Sequence, residues 1–322
     1  MKAIQIKESG APEVMTLVDI PVPKPKANEA LVKIVAAGVN FADVYVREGR
    51  YKSKLPMVIG QEAAGVVTEV GAEVANVKPG DHVAYRGVQG SYAEYAAVPA
   101  DKLVQIPKGL SDEQAAAAIL QGMTAQYLCY STYPVKRGDT VLVHAAAGGV
   151  GLLLVQMCHN LGARVIGTVS TEQKAALARA AGADEVILYS QVDFESETRR
   201  LTENKGVHVI YDAVGQATFT KGLNLLRPRG HMVNYGAASG PVAPVDPMVL
   251  MEKGSIFLSR PSLQHYAALR VELEERSSAV FGMILAGKLK LRIEHRYPLE
   301  KAVEAHRDLE SRKTTGKLLL LT

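Results

Sequence analysis

The stretch TVLVHAAAGGVGLLLVQMCH, from Thr140 to His159, joins a β-branched apolar segment to a longer apolar one through a turn of alanine and glycine. A turn without bulky side chains lets another molecule approach the backbone, and the helix start offers free N–H groups and a positive dipole end to an anion. Ala146, Gly148 and Gly151 fit the dinucleotide fingerprint G-x-G-x-x-G, with alanine in the first slot. The stretch therefore predicts a phosphate-binding turn. A tight turn without a ligand is the alternative interpretation.

The residues after the next apolar segment indicate whether the turn binds NAD or NADPH. Units that bind NAD place Asp or Glu at the end of their second strand, where it bonds the ribose 2′-hydroxyl. Here the segment Arg164–Val169 is followed by Ser170 and Thr171, and then by Lys174. Because no carboxylate repels a 2′-phosphate and a lysine can attract it, the pattern favours NADPH. A solvated lysine on a helix face is the alternative for Lys174.

The elements that position this turn follow from the hydrophobic pattern along the chain. From residue 1 to about residue 110, short alternating segments separated by turn residues indicate an antiparallel β domain. Ser111 to Gln114 is a capping box that opens a helix. From Thr140 apolar strands and helices alternate, including a helix through FTKGLNLLRPRG and strands HMVNYGAAS and SIFLSR. This alternation predicts an α/β fold with a doubly wound parallel sheet covered on both faces.

Length and composition narrow the classes of protein. With 322 residues, two domains are expected, one formed by residues 1–122 and 261–322 and the other by residues 123–260. The net charge is +4 with dispersed basic residues, so nucleic acid is not an expected partner. We find neither a secretory signal nor a long uncharged apolar run, which indicates a cytoplasmic protein without a membrane contact. Cys129 and Cys158 are expected to be buried free thiols.

Several segments together resemble one family. The run from Gly138 to Gln156, with GVNFADVYVREGRY, GQEAAGVV, RPSLQHY and AHRDLESR, is similar to the quinone oxidoreductase (zeta-crystallin) family of zinc-independent medium-chain dehydrogenases/reductases, and especially to its bacterial NADPH:quinone reductases. His159 departs from the family signature, but it lies beyond the turn. The resemblance implies a GroES-like, mainly antiparallel β catalytic domain, a Rossmann domain that binds NADPH, and reduction of quinones.

The resemblance also implies site residues. It assigns the 2′-phosphate to Lys174, Tyr189 and Arg312, and the nicotinamide and quinone side of a cleft between the domains to Asn40, Tyr45 and Tyr51. The remaining positions expected to contact the cofactor are Thr124, Ala146, Gly148, Gly149, Val150, Gly151, Ser170, Ala213, Val214, Gly215, Gly236, Ala237 and Ser239. Asn40 is also expected to contact the cofactor. His144 is expected to pack beside it.

The same superfamily contains zinc alcohol dehydrogenases, which hold a catalytic zinc ion at defined positions of their sequences. The positions of their catalytic zinc ligands are occupied here by Asn40, Gln61 and Gln121, whereas zinc selects thiolate, imidazole or carboxylate. Residues 85–110, where a structural zinc would need cysteines, contain none. We therefore expect no metal.

The expected absence of a Lewis acid favours an acceptor whose conjugation spreads the developing charge, such as a quinone. The enzyme then needs mainly proximity and hydrogen bonds, for which Tyr45 and Asn40 are candidate donors, in a cleft also lined by Tyr51, Gln61 and Gln121. Asn40 also fits the N-cap of the next helix. One alternative function is an NADPH-dependent 2-alkenal or enone reductase. A second is a non-enzymatic, crystallin-like or RNA-binding NADPH protein.

The segment from Ser255 to Ser259 predicts the assembly. It would be the last strand of the parallel sheet, and it carries neither proline nor an inward charge to protect an exposed edge. Pairing with a second copy would satisfy that edge, and the resemblance implies the same arrangement. We therefore expect a homodimer.

Overall fold

The computed structural model describes residues 1–322, which form two compact units. Unit 1 comprises Met1–Met123, Ala267–Gly287 and Leu291–Thr322, and unit 2 comprises Thr124–Tyr266 and Lys288–Lys290. Unit 2 is thus formed by one long segment and a three-residue segment, and the remaining C-terminal residues belong to unit 1.

Sixteen strands and ten α-helices build the two units. The strands are β1 (Lys2–Ile6), β2 (Met15–Asp19), β3 (Glu29–Val39), β4 (Met57–Val58), β5 (Glu62–Val70), β6 (His82–Arg86), β7 (Tyr95–Pro99), β8 (Val104–Gln105), β9 (Thr140–His144), β10 (Arg164–Val169), β11 (Glu185–Leu188), β12 (Val207–Asp212), β13 (Leu226–Asn234), β14 (Phe257–Ser259), β15 (Ile293–Pro298) and β16 (Lys317–Leu321). The helices are α1 (Phe41–Arg47), α2 (Asp112–Tyr127), α3 (Gly149–Asn160), α4 (Glu172–Ala180), α5 (Phe194–Leu201), α6 (Phe219–Leu223), α7 (Pro247–Glu252), α8 (Leu263–Tyr266), α9 (Arg270–Leu285) and α10 (Ala302–Glu310). None of these helices combines the length and the apolar composition needed to cross a bilayer.

Unit 1 is built on a mainly antiparallel sheet in the order β15-β16-β3-β5-β6-β8, with β7 also paired to β3 and a smaller sheet β2-β1-β4 beside it. The long strand β3 pairs antiparallel with β5, β7 and β16, so it is the centre of the unit. Its side chains and those of its neighbours form one apolar core that includes Val32, Ile34 and Leu320. This confirms the predicted mainly antiparallel β fold.

Unit 2 has a parallel sheet in the order β11-β10-β9-β12-β13-β14, with strands that are almost entirely buried along β9 and β10. The order runs outwards in both directions from β9 and β12, which is the doubly wound topology of dinucleotide-binding folds. Ligands of such folds bind at the carboxyl ends of the strands, beside the point where the order reverses. The predicted doubly wound parallel sheet is confirmed, and the turn after β9 lies at this point.

Two predicted boundaries in unit 2 are wrong. The segment RPRG was expected to end a helix, but β13 already begins at Leu226 and contains it. Leu226 and His231 pair with β12 on either side of RPRG, which forms an irregularity in the register. Arg229 accommodates this with a left-handed φ of 60°. The last strand does not begin at Ser255, whose φ of 57° breaks the extended chain, and only Phe257–Ser259 pair with β13.

Smaller expectations agree with the structure. The N–H of Gln114 donates to Ser111 Oγ (3.2 Å) and the N–H of Ser111 donates to Gln114 Oε1 (3.0 Å), which is the predicted capping box. Cys129 and Cys158 are both free and buried, as predicted.

Candidate functional site

The small-residue turn between β9 and α3 shows why its side chains are small. A Cβ at Gly151 would overlap the carbonyl oxygen of Ala145, and one at Gly148 would lie 3.2 Å from the same oxygen. Ala145 itself has a left-handed φ of 53°. The N–H of Ala146 donates to Thr168 O at the end of β10 (3.1 Å), which fixes the turn against the neighbouring strand. The turn therefore keeps its backbone accessible and rigid.

The first turn of α3 provides hydrogen-bond donors. Gly148 is the N-cap residue and has no side chain that could bond the first N–H groups, those of Gly149, Val150 and Gly151. Helix geometry leaves these groups without an intrahelical acceptor. Three donors and the helix dipole thus converge where no side chain intrudes, and this cradle fits the pyrophosphate of a dinucleotide.

His144, the last residue of β9, lies beneath this turn. Its Nδ1 is 2.9 Å from Thr168 Oγ1, its ring meets the ring of Phe194 edge-on, and its Nε2 is buried without a hydrogen-bond partner. Burial lowers the pKa of His144, and the nearby Asp212 acts in the opposite direction. The ring is therefore neutral at physiological pH and belongs to the floor of the site.

The loops after β12 and β13 form the next part of the same edge. Asp212 ends β12, and its carboxylate accepts hydrogen bonds from the N–H groups of Val214 (2.7 Å) and Gly215 (3.1 Å) and from the hydroxyl of Thr218 (2.9 Å). Ser239 donates from its hydroxyl to Val214 O (2.7 Å), which joins the two loops. A Cβ at Gly236 would collide with the backbone of Ala213.

These contacts place the predicted residues Ala213, Val214, Gly215, Gly236, Ala237 and Ser239 in two adjoining loops at the carboxyl end of the sheet. The turn of Gly148 follows the strand next to β12, so all three segments share one edge. Thr124, also predicted to contact the cofactor, is buried on α2 at the start of unit 2.

The end of β10 carries the residues expected to distinguish the two nicotinamide cofactors. Ser170 and Tyr189 follow Val169 and Leu188, which are paired between β10 and β11. Thr171 caps α4 by accepting from the N–H of Lys174 (3.3 Å). Burial lowers the pKa of Lys174, so its side chain is not a fully solvated surface lysine.

Arg312, the third residue expected at the 2′-phosphate, belongs to unit 1 and follows α10. It adopts a left-handed φ of 58°, and its N–H donates to Leu309 O (3.3 Å). This conformation ends the helix at a residue that has a long, permanently charged side chain.

Unit 1 contains a buried polar cluster that sequence inspection did not find. Lys317 on β16 forms an ion pair with Glu62 at the start of β5, and both side chains are buried. Glu62 also accepts from the N–H of Leu120 (2.7 Å) and from Asn40 Nδ2 (2.8 Å). A Cβ at Gly38 would collide with both charged groups, so a glycine on β3 makes room for the pair.

Asn40 is fully engaged by this cluster. It occupies the N-cap position of α1, but its Nδ2 donates to Gly38 O (3.2 Å) and Glu62, while its Oδ1 accepts from Lys317 Nζ (2.8 Å) and Gln121 Nε2 (3.3 Å). All four hydrogen-bonding positions of the amide are used. A hydrogen bond from Asn40 to a substrate would replace one of them.

Gln61 differs from Asn40. Its Nε2 donates to Asp43 Oδ1 (3.3 Å), which leaves its Oε1 and one amide hydrogen outside the network. Asp43 in turn accepts at Oδ2 from Tyr92 (3.2 Å) and from the N–H of Asn40 (2.9 Å). Asn40, Gln61 and Gln121, predicted to line the site, are thus joined by one hydrogen-bond network within unit 1. Asp43, which was not predicted, is part of it.

The two predicted tyrosines lie next to each other on the same unit. The rings of Tyr45 on α1 and Tyr51 meet edge-on with 5.6 Å between centroids, and the guanidinium of Arg50 lies 5.2 Å from the centre of the Tyr45 ring. Tyr45 is 8% exposed and Tyr51 is 48% exposed. Tyr51 therefore offers an accessible aromatic face, whereas Tyr45 is largely covered.

No group of three or more His, Cys, Asp or Glu side chains is arranged to hold a metal ion. The amides of Asn40, Gln61 and Gln121 are not donor types that zinc prefers.

Comparison with known proteins agrees with the two-part architecture. Residues 26–108 match the model of the alcohol dehydrogenase GroES-like domain, and residues 149–270 match the model of the zinc-binding dehydrogenase. A quinone oxidoreductase of Pseudomonas aeruginosa is 43% identical over 322 residues, covering 99% of each chain. A 2-haloacrylate reductase of a Burkholderia species is 42% identical over 330 residues, covering 99% of this chain and 98% of that protein.

Among solved structures, the Escherichia coli quinone oxidoreductase complexed with NADPH has a TM-score of 0.98 and 42% identity, with 100% of both chains covered. Identity above 40% over the full length, together with the same fold, establishes the relationship. The chain belongs to the quinone oxidoreductase family of the medium-chain dehydrogenases/reductases.

Proposed function

We propose that this protein reduces quinones with NADPH. The observation that carries the proposal is the cradle of free N–H groups over Gly149, Val150 and Gly151 at the reversal point of the parallel sheet, in a chain 42% identical to a quinone oxidoreductase solved with NADPH. Reduction of a quinone by two electrons requires a hydride equivalent and a proton, and NADPH supplies the hydride when bound. The residues of the chain then need only to bind, orient and donate hydrogen bonds.

Unit 2 provides the cofactor contacts in this proposal. The turn of Gly148 to Gly151 binds the pyrophosphate, and the loops of Ala213–Gly215 and Gly236–Ser239 position the nicotinamide ribose. For the 2′-phosphate we propose Lys174 and Tyr189, and the family resemblance adds Arg312. The closely packed backbone at Gly151 and Gly236 supports this role, because it leaves no space for side chains that would block the cofactor.

Unit 1 provides the acceptor contacts. Gln61 retains an amide hydrogen that is not used inside the unit, and Tyr51 offers an exposed ring against which a planar quinone can stack. Asn40 and Gln121 hold the network in place. The resulting site relies on amide and aromatic groups, so it suits an acceptor in which conjugation spreads the developing negative charge.

A conjugated carboxylate or carbonyl is the second candidate acceptor, because a relative of 42% identity is a 2-haloacrylate reductase. Turnover of NADPH with 1,4-naphthoquinone, a 2-alkenal and 2-chloroacrylate separates the possibilities. We expect kcat/KM to be highest for the quinone by at least about tenfold, since it is planar and needs no carboxylate partner. A higher kcat/KM for either of the other acceptors would contradict the quinone assignment.

We further propose a homodimer formed through β14. This strand is the edge of the parallel sheet, and Phe257 and Leu258 are 54% and 36% exposed on it. Exposed apolar residues on an unprotected edge favour pairing with a second strand. A cytoplasmic location stays a prediction of the sequence.

The assembly prediction can be checked by light scattering at micromolar concentration, where we expect the mass of two chains. Phe257→Lys should shift the mass towards one chain, because it places a charge on the edge. Leu17→Lys, at a similarly exposed apolar residue on β2 (45% exposed), is the matched control and should remain dimeric. A monomeric wild-type protein would contradict the proposal.

A further inference from the structure

A directed chain of hydrogen bonds ends on Asp43. Arg47 lies 3.1 Å from His306 Nδ1, and because a guanidinium only donates, Nδ1 must accept. Burial, with a smaller contribution from Arg47, lowers the pKa of His306 to about 3, so the neutral ring carries its hydrogen on Nε2. Nε2 is 3.1 Å from the Tyr92 hydroxyl and donates to it, and Tyr92 donates its own hydrogen to Asp43 Oδ2. Every donor along the chain therefore points towards Asp43.

The two oxygens of Asp43 have different surroundings. Oδ2 accepts from Tyr92 (3.2 Å) and from the N–H of Asn40 (2.9 Å), and neither donor can reverse its direction. Oδ1 faces only the amide of Gln61, at 3.3 Å. A proton taken up by Asp43 must therefore reside on Oδ1, in the direction of Gln61.

The surrounding charges leave Asp43 without a cationic partner. Lys317 is paired with Glu62 and Arg47 with Glu310, whereas Asp43 forms no ion pair and is completely buried. Burial raises the pKa of Asp43 to about 7, against the attraction of Lys317. Burial also raises the pKa of Tyr92, so the tyrosine and the neutral His306 do not compete for the charge. Both forms of Asp43 are thus populated near neutral pH.

We propose that Asp43 is a positioning residue whose ionisation decides which end of the Gln61 amide faces the acceptor. The carboxylate accepts from Gln61 Nε2, as in the structure, and turns Oε1 away from itself. The protonated carboxyl group instead donates from Oδ1 to Gln61 Oε1, and the amide reverses so that both of its N–H bonds point outwards. A quinone oxygen only accepts hydrogen bonds, so the reversed amide binds it better. This inference rests on the proposed function, because it assigns Gln61 to the quinone.

The test is the equilibrium binding of 1,4-naphthoquinone at saturating NADP⁺, which supplies no hydride, from about pH 6 to about pH 8.5. For the wild-type protein we expect Kd to rise about fivefold with a midpoint near pH 7, the factor expected for one hydrogen bond. In Asp43→Asn, Tyr92 and the N–H of Asn40 still require an acceptor, so the amide nitrogen must face Gln61 and hold it reversed. That variant should bind the quinone tightly at every pH, and at about pH 8.5 more tightly than wild type.

A damaged fold cannot produce tighter binding, which separates positioning from a structural role. Asp308→Asn is the matched control, since Asp308 also accepts from a tyrosine hydroxyl, that of Tyr297 (2.7 Å), and has no contact with Gln61; it should keep the wild-type profile. A flat wild-type profile, or an Asp43→Asn protein that binds more weakly at all pH values, would overturn the inference. Failure of the wild-type protein to oxidise NADPH with a quinone it binds would overturn the proposed function and leave the positioning role supported by the binding data.

Discussion

Lys317→Met is expected to lower the free energy of unfolding by about 3–5 kcal/mol. Lys317 and Glu62 form an ion pair in which both side chains are buried. Methionine keeps the length of the lysine stem but removes its charge, so Glu62 becomes a buried carboxylate without a cation. Desolvation of that carboxylate is then uncompensated, and chemical denaturation monitored by circular dichroism should report the loss.

Two further variants test the cause of this loss. Lys317→Met combined with Glu62→Gln removes both charges and retains an oxygen for the N–H of Leu120, so it should recover most of the stability. Lys205→Met disrupts the ion pair of Lys205 with Glu203, in which both side chains are exposed, and should not change stability measurably. If Lys317→Met is no more destabilising than Lys205→Met, the buried carboxylate of Glu62 does not depend on Lys317 for compensation of its charge.

The second large effect concerns the choice of cofactor. Lys174→Ala and Arg312→Ala should each weaken NADPH binding about tenfold and leave NADH binding nearly unchanged, because we propose that each side chain contacts only the 2′-phosphate. A hydrogen bond to a charged group is worth about 1.5–3 kcal/mol, and solvent at the adenine end favours the lower value, which corresponds to about tenfold. Combined in one protein, the two changes should reduce the preference for NADPH further than either change alone.

Gly148→Val is the comparison for that experiment. A Cβ at Gly148 would lie 3.2 Å from Ala145 O, and a branched side chain would cover the N–H groups of the helix start. Since both cofactors carry the pyrophosphate, this variant should weaken NADPH and NADH alike. Equal losses for both cofactors in Lys174→Ala and Arg312→Ala would instead show that these residues do not contact the 2′-phosphate.

The sequence predicted unit 2 more fully than unit 1 for a physical reason. The turn of Ala146, Gly148 and Gly151 acts within one strand–turn–helix segment, so its spacing along the chain carries the geometry. The alternation of apolar strands with helices likewise determines a parallel sheet. Prediction failed at two strand starts, at Leu226, where β13 begins earlier than the local turn signal indicates, and at Ser255, where a left-handed φ delays β14.

The polar network of unit 1 shows the opposite case. Asn40 meets Glu62 across 22 positions and Lys317 across 277, and no local spacing relates such residues. A partial signal was present, because Glu62 and Lys317 are the charged first residues of the otherwise apolar segments EAAGVV and KLLLL. A charge in a buried strand requires a partner, but only the paired strands identify which one. The predicted amides were brought into one network by Asp43, Glu62 and Lys317, whose roles the sequence did not reveal.

We propose that the chain transfers reducing equivalents from NADPH to a quinone without the participation of a metal ion. The most direct measurement is the oxidation of NADPH and of NADH with 1,4-naphthoquinone by protein treated with a chelator, together with its metal content. We predict one NADPH oxidised per quinone reduced, a kcat/KM for NADPH at least about tenfold above that for NADH, and no stoichiometric zinc. A preference for NADH, or an activity that disappears with removal of one zinc per chain, would contradict the account.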